Sequence, residues 1–215
     1  MIKLENISKS YHSNFELEVL KDVNLFCEHS KIFTIYGNSG TGKTTLLNIL
    51  GLIDTPSSGN IYIDEKKITD YKNVSILRVK TFGYIFQDHY LFPEFTVLEN
   101  LILPSIIIGE NRRDFALKLL NRFNLSALKD KYPRSISFGE AQRVAVLRAI
   151  INEPRVIIAD EPTSSLDDDN ANSILKLFQD LKRDGYSIIV ATHDKRFIEK
   201  SDNSFKLCNK NLMEV

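Results

Sequence analysis

The 215-residue chain has no tryptophan, two methionines and only two cysteines. Cys27 and Cys208 stand far apart and outside any C-x-x-C spacing, so neither a disulfide framework nor a zinc site is expected, and a reducing compartment fits best. An excess of either charge is also missing. Lys+Arg and Asp+Glu both number 28, for a formal net charge of +0, whereas nucleic-acid binders usually carry a basic surplus. No nucleic-acid partner is therefore expected. A membrane span needs about 18 consecutive apolar residues. The most apolar segment, LILPSIII (101–108), is short and broken by Pro104 and Ser105. The N-terminal MIKLENISKSY alternates apolar with polar residues and lacks the apolar run of a secretory leader. These absences point to a soluble cytoplasmic chain with no span of its own.

What remains is an ordinary globular composition, 43% hydrophobic and 26% charged. IKLENIS (2–8), VNLFCE (23–28) and GNIYID (59–64) alternate as strands of a half-exposed sheet. KIFTIY (31–36) is a β-branched and aromatic run, followed by helical spacing in TTLLNIL (44–50) and a stop at Gly51. From Asp88 to Glu153 the texture becomes helical. Phe115, Leu119 and Phe123 recur every fourth position, and Val144, Leu147 and Ile151 trace a second helix face. RVIIAD (155–160) and SIIVAT (187–192) are too continuously apolar for a one-faced sheet and read as buried parallel strands. Between them Ile174, Leu175, Leu177, Phe178 and Leu181 mark a helix ending at Gly185. The pattern is an α/β core, residues 1–87 and 154–215, with a helical insertion over 88–153, all in one domain.

GNSGTGKT (37–44) matches the phosphate-loop pattern G-x4-G-K-S/T without a mismatch, after a strand and before a helix. Its glycines let backbone N–H groups close around a phosphate, and the helix dipole adds to the attraction. Lys43 is placed to reach the β- and γ-phosphates, and Thr44 to offer its hydroxyl to Mg²⁺. In RVIIADEPTSSLD (155–167) two carboxylates end a buried strand. Asp160 suits Mg²⁺, which takes oxygen ligands and keeps several waters. Glu161, one residue on, points elsewhere and can polarise an attacking water. The bland alternative, an acidic turn capping the next helix, suits Asp167, Asp168 and Asp169 better. A second anion site is suggested by RSISFGEAQR (134–143), where Ser137 and Glu140 form a capping box at a helix start.

Together these motifs resemble the ATPase subunit of an ATP-binding-cassette (ABC) transporter, from residue 2 to about residue 207. GNSGTGKT resembles its Walker A, VIIADE its Walker B and SSLD (164–167) its D-loop; YIFQ (84–87) resembles the Q-loop, ATHD (191–194) the switch-histidine loop, and ISFGE (136–140) the LSGGQ signature. The resemblance implies a P-loop NTPase core, a mostly parallel sheet joined to an N-terminal antiparallel β-subdomain, with a helical subdomain inserted. It implies ATP and Mg²⁺ as cofactors. Nucleotide contacts fall on Gly37, Asn38, Ser39, Gly40, Thr41, Gly42, Lys43, Thr44 and Thr45, with Tyr11 stacking on adenine. Thr44, Asp160 and Gln87 attend the Mg²⁺, Glu161 activates water, Gln87 links the site to the insertion, and His193 contacts the γ-phosphate. His12, His29 and His89 are read as structural. Ser137, Gly139, Glu140 and the D-loop Asp167 serve the ATP of a partner chain, because two such subunits pack head to tail around two ATP. One departure stands out. Phe138 occupies the place of the first signature glycine, and retained but reduced activity is expected.

Within the family, GYIFQDHYLFPEFTVLENLILPSII (83–107) and NEPRVIIADEPTSSLD (152–167) resemble the short bacterial ATPases of macrolide export and lipoprotein release. That implies an integral-membrane permease as partner, a peripheral position on the inner membrane face, and cargo such as peptides, lipoproteins or antimicrobial compounds. Two other readings share the ATPase head: a soluble non-transport ATPase of the DNA-repair or cluster-assembly kind, and a regulatory module acting on a membrane partner without moving cargo. The long coiled coils or zinc cysteines of repair members are missing from the sequence. Leu91, Phe92, Phe95, Val97 and Leu98 are expected mostly in the core of the insertion, with a few lining a groove for a permease helix. Charged substitution at Phe92 or Phe95 is therefore predicted to abolish transport while sparing ATP binding; transport retained by correctly folded variants would refute this.

Overall fold

A computed structural model describes residues 1–12 and 16–215. In chain order its elements are β1 (Ile2–His12), β2 (Glu16–Cys27), β3 (Ile32–Tyr36), α1 (Lys43–Leu50), β4 (Ser58–Ile63), β5 (Lys66–Lys67), α2 (Val74–Thr81), β6 (Phe82–Ile85), α3 (Val97–Ile107), α4 (Arg113–Arg122), α5 (Phe138–Ala149), β7 (Val156–Asp160), α6 (Asp168–Arg183), β8 (Ser187–Ala191), α7 (Lys195–Lys200), β9 (Asn203–Cys208) and β10 (Asn211–Glu214). Two sheets result. The first runs β2-β1-β4-β5, antiparallel throughout; the second runs β10-β9-β3-β8-β7-β6, parallel except for β10.

The continuous apolar strands take the central places. β7 and β8, with β3 beside them, are buried along almost their whole length, as strands covered on both faces must be. The alternating strands go to the antiparallel sheet, but β1 changes phase. Ile2, Leu4 and Ile7 are all buried, which strict alternation forbids. A bulge resolves the conflict: Asn6 adopts φ 51° and the register with β2 shifts between Leu4 and Ile7.

Helix ends follow local chemistry. Asp167 accepts from the Asn170 N–H at 2.8 Å and caps α6. At the other end Gly185, at φ 96°, lets Tyr186 N–H return to Leu181 O at 3.1 Å. Gly51 ends α1 as expected, yet at φ −88° it has no need of glycine's left-handed freedom. The reason is space. A Cβ there would stand 1.4 Å from the Tyr84 hydroxyl of β6, and that hydroxyl is buried with no hydrogen-bond partner among the described residues. Burial also drives the Tyr84 phenol well above its ordinary pKa.

Between β6 and β7 the chain is helical, with α3 and α5 packed together. Thr96 and Glu99 cap α3 reciprocally. Buried Asn100 accepts from Phe92 N–H at 2.7 Å and donates to Phe92 O and Phe95 O, each at 3.0 Å, fixing the loop ahead of α3. Leu91, Val97 and Leu98 enter the core, whereas Phe92 and Phe95 remain 48% and 38% exposed. Among the described residues no helix is long and apolar enough to cross a membrane.

Gly51→Ala is predicted to destabilise the protein by about 1–3 kcal/mol through overpacking. Tyr84→Phe, which removes both the obstruction and an unpartnered buried hydroxyl, should recover part of that loss in urea unfolding. No recovery in the double variant would refute the steric explanation.

Candidate functional site

The parallel order places β3, β8 and β7 side by side, so the loops at their carboxyl ends converge, as sites in open α/β sheets do. β3 delivers residues 37–42, β7 ends on Asp160, and β8 leads to His193. There they form a cleft of about 880 Å³. Tyr11, Gly37, Asn38, Ser39, Gly40, Gly42, Lys43, Thr44, Thr45, Gln87, Asp160, Glu161 and His193 all line it.

The loop after β3 needs glycine at defined places. Gly40 and Gly42 have φ 76° and 103°. A Cβ on Gly42 would also come 2.8 Å from Val19 Cγ1. Lys43 folds back across the loop, its Nζ donating to Gly37 O at 2.9 Å and Asn38 O at 3.2 Å. Thr41 is the exception within the motif. It does not line the cleft, and its hydroxyl donates to Asn38 O at 2.9 Å, bracing the loop from within.

Thr44 Oγ1 donates to Asp160 Oδ2 at 2.6 Å. Burial raises the Asp160 carboxyl above its ordinary pKa and the adjacent Glu161 charge adds to this, while the Thr44 hydrogen bond and Lys43 oppose it. Such a carboxylate gains from a cation. Thr44 and Asp160 together offer hard oxygen donors of the kind Mg²⁺ takes from a protein, the rest coming from phosphate and water.

Glu161 sits at φ 45°, rare for a side chain of this size. The conformation is held by its N–H donating to Ala191 O at 2.7 Å, and it turns the carboxylate away from Asp160. Oε1 lies 3.6 Å from Lys43 Nζ, and Oε2 lies 3.0 Å from His193 Nδ1 while accepting from the His193 N–H at 3.3 Å. A carboxylate so placed can accept a proton from a water beside the phosphate loop. Behind it lies a network that sequence reasoning did not find. Thr163 donates to Asp194 at 2.9 Å, Arg196 grips Asp194, and Arg196 reaches Asp168 at 2.9 Å. Burial opposes ionisation of Asp194, but the Arg196 and Thr163 hydrogen bonds outweigh it and hold the carboxyl below its usual pKa. Leu17 and Val19 also line the cleft unforeseen, and Ser164, the first residue of SSLD, joins them. Leu17 stands opposite Tyr11 in the pairing of β1 with β2, which only the structure shows.

Ser137, Gly139, Glu140 and Asp167 do not line this cleft. They gather at the N-termini of α5 and α6. Ser137 accepts from Glu140 N–H at 3.2 Å and Glu140 from Ser137 N–H at 2.8 Å, completing the capping box. Gly139 leaves room for α6: a Cβ would stand 2.2 Å from Asn170 Oδ1, and Asn170 donates to both Asp167 carboxylate oxygens. Phe138 is 40% exposed, its ring 5.5 Å from that of His89. The Arg148 guanidinium binds His89 O and Tyr90 O, so the segment after Gln87 is tied to α5.

Residues 20–164 match the ABC transporter family. The chain belongs to that family. It is 40% identical to the lipoprotein-releasing system ATP-binding protein LolD of Bacteroides fragilis, over 99% of this chain and 100% of that one. Among solved structures it is similar to the dimeric bacterial ABC transporter cassette MJ0796, with TM-score 0.90 and 35% identity over 100% of this chain and 98% of that one. A post-hydrolysis dimer of the same cassette, bound to ADP and Pi, gives TM-score 0.89 at the same identity and coverage. This protein is thus the ATP-binding, ATP-hydrolysing subunit of an ABC transporter.

Phe138→Gly is expected to raise the ATPase rate several-fold by freeing the approach to Ser137 and Gly139. Unchanged hydrolysis together with unchanged ATP-driven dimerisation would show that the ring is no handicap.

Proposed function

We propose that two copies of this ABC ATPase close head to tail around two ATP, and that closure and hydrolysis drive a membrane permease of the lipoprotein-release kind. One observation carries the reading. Most of the motif residues line the cleft of their own chain, while Ser137, Gly139, Glu140 and Asp167 form a second ordered cluster outside it. A second chain gives that cluster its ligand, because helix N-termini carry free N–H groups and positive dipole ends that suit a γ-phosphate. The dimeric cassette bound to ADP and Pi supports this by analogy.

In the proposed reaction the loop N–H groups and Lys43 bind the phosphates, and Tyr11 holds the base. Thr44 and Asp160 would hold Mg²⁺ with Gln87 nearby, and the ion would supply positive charge against the phosphates. Glu161 takes the proton of the attacking water, and His193 fixes the γ-phosphate. Phosphate arrival exchanges the Lys43 bonds to Gly37 O and Asn38 O for stronger charged ones.

We assign residues 88–153 to a helical subdomain and the remainder to the core. Between them lies a groove of about 590 Å³, lined by Tyr84, Phe86, Tyr90, Phe92, Pro104 and Ile107 among others. We take it as the seat of a cytoplasmic permease helix, which places the subunit on the inner face of the membrane. Lipoprotein as cargo rests on the likeness to the B. fragilis relative.

Glu161→Gln should bind ATP without turning it over and therefore accumulate the closed state. Light scattering is expected to give twice the monomer mass with ATP and the monomer mass without it. A monomer at saturating ATP would refute dimer closure by the isolated subunit.

A further inference from the structure

A lysine lies buried beside the nucleotide cleft, outside the phosphate-binding machinery. Lys9 on β1 is 8% exposed, and a buried ammonium persists when both its charge and its hydrogen bonds are met. Nζ donates to Asp54 Oδ1 at 2.8 Å and to Thr55 O at 2.7 Å. It also lies over the Tyr11 ring, 4.8 Å from the centroid, within cation–π range. The second carboxylate oxygen of Asp54 accepts from the Tyr11 hydroxyl at 2.9 Å. Burial opposes ionisation of Asp54, but the hydrogen bonds from Lys9, Tyr11 and the Thr55 N–H hold its carboxyl below the usual pKa.

The Tyr11 side chain is consequently fixed at two points, hydroxyl and ring face. Lys9 covers one face, and Tyr11 as a residue remains 41% exposed on the wall of the cleft. The anchor is itself anchored. Asp54 follows α1, its N–H donating to Asn48 O at 3.1 Å, and the next residues lie along β1 through Ser57 N–H to Ser8 O at 2.8 Å.

We propose that Lys9 and Asp54 are positioning residues that set the Tyr11 ring for base stacking before nucleotide arrives, so that affinity for the base depends on both. The proposal rests on Tyr11 being the stacking aromatic. A ring immobilised in the free protein loses little freedom on binding, and that preorganisation appears as affinity. The dependence is confined to the base, because neither residue lines the phosphate-binding cleft.

The test compares ADP with pyrophosphate, a probe that lacks the base, by calorimetry on the full chain. Lys9→Met keeps the apolar stem and removes the charge; Asp54→Asn keeps the shape and serves if Lys9→Met fails to fold. Tyr11→Ala is the reference. Each variant is expected to weaken ADP roughly three- to ten-fold and leave pyrophosphate unchanged, with Lys9→Arg recovering most of the loss. Full ADP affinity in Lys9→Met and Asp54→Asn, with a loss in Tyr11→Ala, overturns the proposal and leaves stacking intact. Full affinity in Tyr11→Ala overturns stacking and the proposal together. Equal weakening of ADP and pyrophosphate overturns it in favour of a general structural role acting through α1.

Discussion

The hydrogen bond from Thr44 Oγ1 to Asp160 Oδ2 joins segments 116 residues apart and sets the geometry on which the rest depends. It exists because β3 and β7 flank β8 in one parallel sheet, so the helix after β3 starts beside the end of β7. One residue of slip in that register would turn Asp160 into the core and Glu161 into its place. Instead Asp160 faces Thr44, and the positive φ at Glu161 swings the next carboxylate toward Lys43 and His193. Two adjacent acids thereby acquire different neighbours.

A second organised surface lies apart from the cleft. Its residues are held by contacts within the chain: the capping box at Ser137, the fit of Gly139 against Asn170, and the Asp167 cap of α6. Gly139 thus has a packing reason to be glycine besides any approach of phosphate. Phe138 spends its ring against His89, in the segment that Arg148 ties to α5. This arrangement links the start of α5 to the segment that follows Gln87.

Much of this was legible because short-range chemistry dictated it. The glycine spacing of residues 37–42 requires left-handed backbone, and the continuous apolar runs of 156–160 and 187–191 require cover on both faces. Ser137 with Glu140, and Asp167 before its helix, cap by side chains that reach only their own turn. Helix α2 was not foreseen; none of its apolar residues, Val74, Ile76, Leu77 and Val79, is buried. Nor were the hairpin of β9 and β10 or the phase change at Asn6, which long-range pairing decides.

The sequence alone determined the family, the phosphate loop and the acids at the end of β7, since each is written within a few neighbouring residues. Tertiary structure alone decided which distant groups share one cleft and which stand outside it. It also decided that Gly51 makes way for the Tyr84 hydroxyl, and that buried Lys9 pairs with Asp54 beneath Tyr11. The physical reason is the same in each case. A capping bond is set by bond lengths and one turn of backbone, whereas burial and cross-chain hydrogen bonds are set by sheet order and register, to which no short stretch of sequence has access.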